Sequence, residues 1–165
     1  MDKLWSPWRS KYIESFKPGN EDCDDKCLFC CIPGKNKDKE NLVVHRGKFC
    51  YIIMNLFPYN SGHLLIIPYK HAASLKELDQ DTYLECMNML NLSCEILSDT
   101  IFPHGFNIGA NIGRDAGAGI DQHIHFHIVP RWNGDTNFMP VIGNTTVLPE
   151  AMAEVAAKLR AELNS

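Results

Sequence analysis

The sequence predicts an α+β fold: an antiparallel sheet meander with helices on one face. Three observations carry this expectation. Residues 48–68 and 105–129 each read as two strands joined by a turn. A helix with apolar residues stepping by three and four separates these pairs, and a second helix closes the chain. The turns within each pair are short, which favours antiparallel neighbours over the long crossovers of a parallel sheet.

Each element has its own signal. Ser6-Pro7 followed by Trp8, Tyr12 and Phe16 reads as an N-cap, a first-turn proline and one aromatic helical face, stopped by Pro18-Gly19. Residues 20–41 are polar and cysteine-rich, and GKNKDKEN reads as a solvated loop. KFCYIIMN alternates and carries aromatic and β-branched residues, FPYNSG turns the chain, and HLLIIP runs back. Ser74 to Glu77 is a capping-box pattern opening a helical region. Tyr83, Met87, Leu90, Cys94, Leu97 and Ile101 then mark one face of an amphipathic helix that Pro103 ends.

GFNIGANIG puts Phe106, Ile108 and Ala110 on one face and Asn107 and Asn111 on the other. RDAGAGIDQ is a glycine-rich turn, and HIHFHIV is the next strand. Pro149 and Glu150 begin a final helix with Met152, Val155, Leu159 and Leu163 on one side. The organisation is an aromatic arm over 1–22, one domain over 23–140, and a helix over 141–165 packing on it.

At 165 residues the chain can bury roughly two thirds of its unfolded surface. A net charge of −4 argues against a general nucleic-acid-binding surface, though it leaves room for a local pocket for a small anion. MDKLWSPWRSKYIESF carries charges and a proline where an export signal would be apolar, and no stretch reaches the ~18 apolar residues of a membrane span. The seven cysteines then read as reduced thiols in a cytoplasmic protein.

Three of the seven histidines fall at every second position in DQHIHFHIVPRW. On a strand, His123, His125 and His127 project together, about 6.7 Å apart at their Cα atoms, while Ile124, Phe126 and Ile128 face the helices. The imidazoles would line an open surface. Three uses are open at this point: outward polar residues of a half-buried strand, a metal cage, or catalysis. Two histidines at alternate positions can share one ion, but three in a row reach it poorly. Imidazole titrates near neutrality, so a neutral nucleophile is present at physiological pH; attack on phosphorus gives a phosphoramidate, and a neighbouring ring can supply a proton or hydrogen bond.

HIHFHIV followed by Pro130-Arg131 resembles the His-x-His-x-His motif of the histidine triad nucleotide hydrolases and transferases. The resemblance runs from about residue 23 to 140 and includes CLFC, MNLFPYNSGHLLIIPYKH and NIGRDAGAGIDQHIHFHIVPRW. Trp5-Ser-Pro-Trp-Arg and PRWNGDTNFMP look closest to the dinucleoside tetraphosphate phosphorylase-like and fragile-histidine-triad branch. The resemblance implies that His125 is the nucleophile on an α-phosphate, that His127 contacts the phosphate, and that His123 orients or binds metal. It implies that Asn55 holds the ribose and that Asn111 lies near the phosphates.

Relatives often carry a glutamine, serine or threonine in the turn before the triad, whereas this chain has Ala118-Gly119-Ile120-Asp121. The backbone N–H groups of Gly117 and Gly119 would then bind phosphate oxygens, as glycine-rich turns do. Arg114 is a contact to distal phosphates or a solvated surface arginine.

Cys27-Leu-Phe-Cys30 is a CxxC flanked by Cys23 and Cys31, and by itself it lacks the further ligands of a zinc site. The resemblance supplies them as His71 and His123, giving a structural zinc on Cys27, Cys30, His71 and His123, with Cys23 or His45 as substitutes. His63 and His104 read as structural, Trp132 as a base-stacking or packing residue, and Cys50, Cys86 and Cys94 as core. The function expected is cleavage of an adenine nucleotide or dinucleoside polyphosphate through a nucleotidyl-His125 intermediate, phosphorolysis favoured, in a homodimer. Alternatives are hydrolysis of nucleoside phosphoramidates or aminoacyl-adenylates, a slow nucleotide-binding regulator, and a zinc hydrolase using the triad as ligands.

Overall fold

The structure is a computed structural model that describes residues 27–135 and 150–164. The expected aromatic arm, Cys23 and residues 136–149 lie outside these. Five strands form one sheet in the order β1-β2-β3-β5-β4, every neighbouring pair antiparallel: β1 (Val43–Arg46), β2 (Cys50–Met54), β3 (Leu64–Pro68), β4 (Gly105–Gly109) and β5 (Phe126–Arg131). The two expected hairpins are present. β5 lies between β3 and β4, which sets His127 across from Leu65 and brings it beside the turn that ends at His63.

β1 was not legible, because four residues behind a lysine-rich loop are too few to establish a period. β2 and β3 are buried along their whole length, since both faces are covered. On one face Cys50, Ile52, Met54, Leu64, Ile66, Phe126 and Ile128 meet two helices, α2 (Gln80–Ile101) and α3 (Met152–Glu162). On the other, Tyr51, Ile53, Leu65 and Ile67 pack against Phe29 and Ile32. Residues 28–35, of which only Gly34 and Lys35 fall in the expected solvated loop, are a short helix α1 (Leu28–Cys31) running into a 3-10 turn (Ile32–Lys35). The Tyr51 hydroxyl donates to the Phe29 carbonyl at 2.9 Å and pins this cover to the sheet.

The capping box at Ser74 opens only a 3-10 turn (Leu75–Glu77). The long helix starts at Asp79, whose carboxylate accepts from the Thr82 N–H at 2.9 Å. Of the expected stripe, Leu90 and Leu97 are buried and Cys94 and Ile101 pack against the core, while Met87 is exposed; Cys86, Met89, Ser93 and Ile96 are buried beside them. Small Cys86 and Ser93 let the helix lie close on the sheet. Glu85 on the same helix accepts the N–H groups of Lys48, Phe49 and Cys50. Burial pushes its carboxyl pKa up, but these donors outweigh that and leave it lowered. No helix among the described residues is long and apolar enough to cross a membrane.

Gly62 ends the β2–β3 turn at φ 72°, and a Cβ there would lie 2.6 Å from Ile101 Cδ1 and 3.0 Å from Leu97 Cδ2. Positive φ and close helix contact both select glycine. Gly62→Ala should therefore cost about 2–3 kcal/mol in a denaturant midpoint measurement. A loss under about 0.5 kcal/mol would mean that the turn relaxes freely.

Candidate active site

The three histidines do not line an open face. β5 begins at Phe126, so only His127 belongs to the strand. His123 and His125 precede it in a segment anchored by the Ile124 N–H on the Ala72 carbonyl (2.6 Å) rather than by the sheet ladder. His123 is fully buried and His125 is 5% exposed. The rings still form a row: His125 and His127 have centroids 4.9 Å apart, and a fourth ring, His63, lies 5.2 Å from His127.

Main-chain partners assign the ring protons. The Tyr59 N–H donates to His63 Nδ1 at 3.0 Å, so His63 carries its proton on Nε2. His63 Nε2 lies 3.0 Å from His127 Nδ1 and donates to it, which leaves His127 with its proton on Nε2. That Nε2–H is buried without a hydrogen-bond partner among the described residues. His125 Nδ1 lies 2.9 Å from the His123 carbonyl, an acceptor only, so His125 is protonated at Nδ1 and Nε2 keeps its lone pair. A nucleophilic nitrogen thus stands beside a ring N–H that lacks an acceptor. An oxyanion is the natural complement to that donor.

Burial keeps these rings neutral. Desolvation, reinforced by the other rings, lowers His63 to about 3 and His127 to about 4. Desolvation also lowers His125, against the hydrogen bond to the His123 carbonyl.

Cys27, Cys30, His71 and His123 come together as expected, their ligating atoms all within 4.8 Å of one another. Cys27 Sγ lies 3.3 Å and Cys30 Sγ 3.5 Å from His123 Nδ1, and Cys30 Sγ lies 3.3 Å from His71 Nδ1. His123 Nε2 donates to the Pro68 carbonyl at 2.9 Å, so Nδ1 turns its lone pair toward the sulfurs. Two soft sulfurs and two imidazoles in this number and spacing fit a tetrahedral zinc ion. His45 sits on β1 outside the cluster. Cys31 is disulfide-bonded, against the expectation that all cysteines are reduced, while Cys27 and Cys30 take no part in that bond.

The remaining expected residues divide. Asn55 borders the histidine row, with Nδ2 3.3 Å from His63 Nδ1 and Oδ1 accepting the Phe57 N–H at 3.0 Å. Asn111 lies half-buried after β4. The Gly117 N–H donates to the Arg114 carbonyl at 2.9 Å, so the 3-10 turn consumes the group expected to bind phosphate. Gly119 is exposed, and its N–H makes no hydrogen bond among the described residues. Arg114 is an exposed arginine paired with Asp121 at 2.9 Å across the glycine-rich turn. Trp132 is half-buried and donates its indole N–H to the Phe102 carbonyl (3.1 Å). His104 accepts the Asn133 N–H, as suits a structural role. Cys50 and Cys86 are core, and Cys94 packs at its margin.

Three site residues were not read from the sequence as such. The sequence alone reads His63 as a lone structural histidine, whereas its place just before β3 carries it to His127 because β5 pairs with β3. Tyr59 stacks on His127 with centroids 6.1 Å apart and planes 17° apart. Phe29 meets both His123 and His125 edge-on. No sequence signal marks either aromatic.

Residues 36–134 match the HIT domain. Over 165 aligned residues, 98% of this chain and 84% of the relative, the chain is 36% identical to an AP-4-A phosphorylase of Mycobacterium tuberculosis. It is 32% identical, over 65% of its length and 75% of the relative's, to an adenosine 5'-monophosphoramidase of Schizosaccharomyces pombe. Among solved structures it is similar to a zinc-bound histidine triad family protein of Mycobacterium smegmatis, at TM-score 0.68 and 26% identity over 84% of this chain and 93% of that one. With the histidine row, the sheet and these likenesses in agreement, the chain belongs to the histidine triad family.

Proposed function

We propose that this protein cleaves dinucleoside polyphosphates at an α-phosphate through a nucleotidyl-His125 intermediate that inorganic phosphate resolves. The observation that carries the reading is the juxtaposition of a lone pair on His125 Nε2 with the unpartnered N–H on His127 Nε2. His125 Nε2 attacks the α-phosphorus, an N–P bond forms, and the bond to the bridging oxygen breaks. The His127 N–H donates a hydrogen bond to the phosphoryl oxygens as charge develops there, and the nucleoside triphosphate leaves as its anion without taking a proton from the neutral ring. His63 shares that demand through its bond to His127 Nδ1, and Tyr59 holds His63 in the required tautomer. A phosphate oxygen then displaces His125 from phosphorus. With diadenosine tetraphosphate the balanced products are ADP and ATP. The mycobacterial relative's name supports this substrate and acceptor.

Product analysis tests the reading. Diadenosine tetraphosphate with phosphate should give ADP and ATP, and His125→Asn should lower kcat roughly a thousandfold or more. AMP and ATP formed without phosphate would replace phosphorolysis by hydrolysis. Absence of both product pairs would sink the polyphosphate assignment and favour the phosphoramidate chemistry of the fission-yeast relative.

The chemistry needs neutral rings, and folding maintains them at a cost in acid. His63 and His127 have folded pKa values of about 3 and about 4, below the ordinary 6.5, so the unfolded chain binds more protons in that interval. Their neutral state costs nothing above pH 6.5; stability then falls as pH drops toward 4, with a slope of up to about 1.4 kcal/mol per pH unit for each ring. Denaturant midpoints from pH 7 to 4 should show a shallower decline in His63→Gln. Identical declines in the two proteins would contradict the buried neutral ring.

We also infer a homodimer with one structural zinc per chain. Cys27, Cys30, His71 and His123 would hold the ion, which ties α1 to the histidine segment when bound. Support for zinc comes from the donor set and the Pro68 carbonyl that orients His123. Support for the dimer comes from the edge position of β4, where Ile108 is 51% exposed. Native mass spectrometry should find two chains with two zinc ions, and no zinc in Cys30→Ser. A metal-free monomer at micromolar concentration would refute both.

A further inference from the structure

We propose that Phe29 is a positioning residue for His125, and that the Cys27/Cys30/His71/His123 cluster controls the orientation of the nucleophile through it. The inference rests on the reading of His125 as nucleophile and of the cluster as a zinc site.

Phe29 sits between the two cysteines of the CxxC, at the centre of a four-residue helix. Its ring is 3% exposed and meets His125 at 5.0 Å and 62°, and His123 at 5.6 Å and 88°. The His127 ring also lies against His125, with centroids 4.9 Å apart and planes 56° apart. The terminal torsion of a histidine side chain has a broad energy profile, so one hydrogen bond does not fix the ring plane. The His123 carbonyl restrains Nδ1, while contact with the Phe29 and His127 rings restricts the ring plane and thereby aims Nε2.

A helix of one turn has no stability of its own. Residues 28–31 are restrained by the Tyr51–Phe29 hydrogen bond and by the two thiols that approach His123 and His71. The cluster therefore touches His125 twice, through the Phe29 ring and through the carbonyl of His123, whose side chain is one of its members. When zinc is bound it supplies rigid bonds in place of these loose contacts. Two neighbours, not one, then lose their fixed positions if the cluster is opened.

Histidine ring 15N spectra test this on the full-length chain, with the His125 signals identified by their absence in His125→Asn. Samples are the parental protein with one equivalent of zinc, the same protein after chelation, and Phe29→Leu with zinc. The parental protein should show His125 as a single Nδ1–H tautomer. Chelation and Phe29→Leu should each move the His125 shifts toward tautomer averaging while those of His63 and His127 stay in place. In Phe29→Leu, kcat should fall at least about tenfold with KM within about twofold.

Unchanged His125 shifts in both altered samples would overturn the proposal, as would equal movement of all three rings, which marks a general loosening. If Phe29→Leu does not fold, Phe29→Met, closer in volume to the native side chain, is judged by the same criteria. If the parental protein shows no turnover of diadenosine tetraphosphate, the substrate assignment fails, and the ring spectra alone decide the positioning role.

Discussion

Main-chain groups determine which nitrogen of each histidine carries a proton, and the site's chemistry depends on that assignment. Three peptide groups do this: the Tyr59 N–H on His63, the His123 carbonyl on His125, and the Pro68 carbonyl on His123. Each offers only one polarity, so each leaves its ring a single tautomer. The outcome is alternating roles along one row: a donor relay from His63 to His127, a lone pair on His125, and a lone pair on His123 facing the thiols. A peptide group cannot change sign with pH, so the pattern persists as long as the backbone holds its place. Gly62, pressed under α2 at positive φ, and the Ile124–Ala72 hydrogen bond are parts of what holds it.

Burial acts together with this pattern. A row of exposed imidazoles would be partly protonated at neutral pH and would repel one another. Desolvated by burial, with Phe29 against His123 and His125, they stay neutral and available. The cover comes from residues 28–35, a segment too short to fold alone, which the Tyr51 hydroxyl and the thiol cluster tie down. The cluster and the nucleophile are thus neighbours in one small arrangement.

Much of the fold was legible. The hairpin over 48–68 announced itself through β-branched residues around a Pro-Tyr-Asn-Ser-Gly turn, and the helix through its apolar period. Leu90, Cys94, Leu97 and Ile101 of the expected face meet the core, but the stripe is broadened by Cys86, Met89, Ser93 and Ile96, while the larger Met87 points to solvent. A period identifies a helix, but close approach to a sheet is decided by side-chain size at the contact. β1 and α1 were missed for a related reason: both are short, and both exist because of what they pack against.

The sequence by itself determined the inventory of this protein: alternating histidines before an apolar strand, a CxxC, and enough β-branched and helical patterning for an α+β domain. Chemical identity and local period are written residue by residue. Only the tertiary structure decided that His63 joins the row and that Phe29 lies against His125. Those outcomes depend on β5 entering between β3 and β4 and on a loop folding back over the sheet. Contacts between residues 60 to 100 positions apart leave no trace in local periodicity.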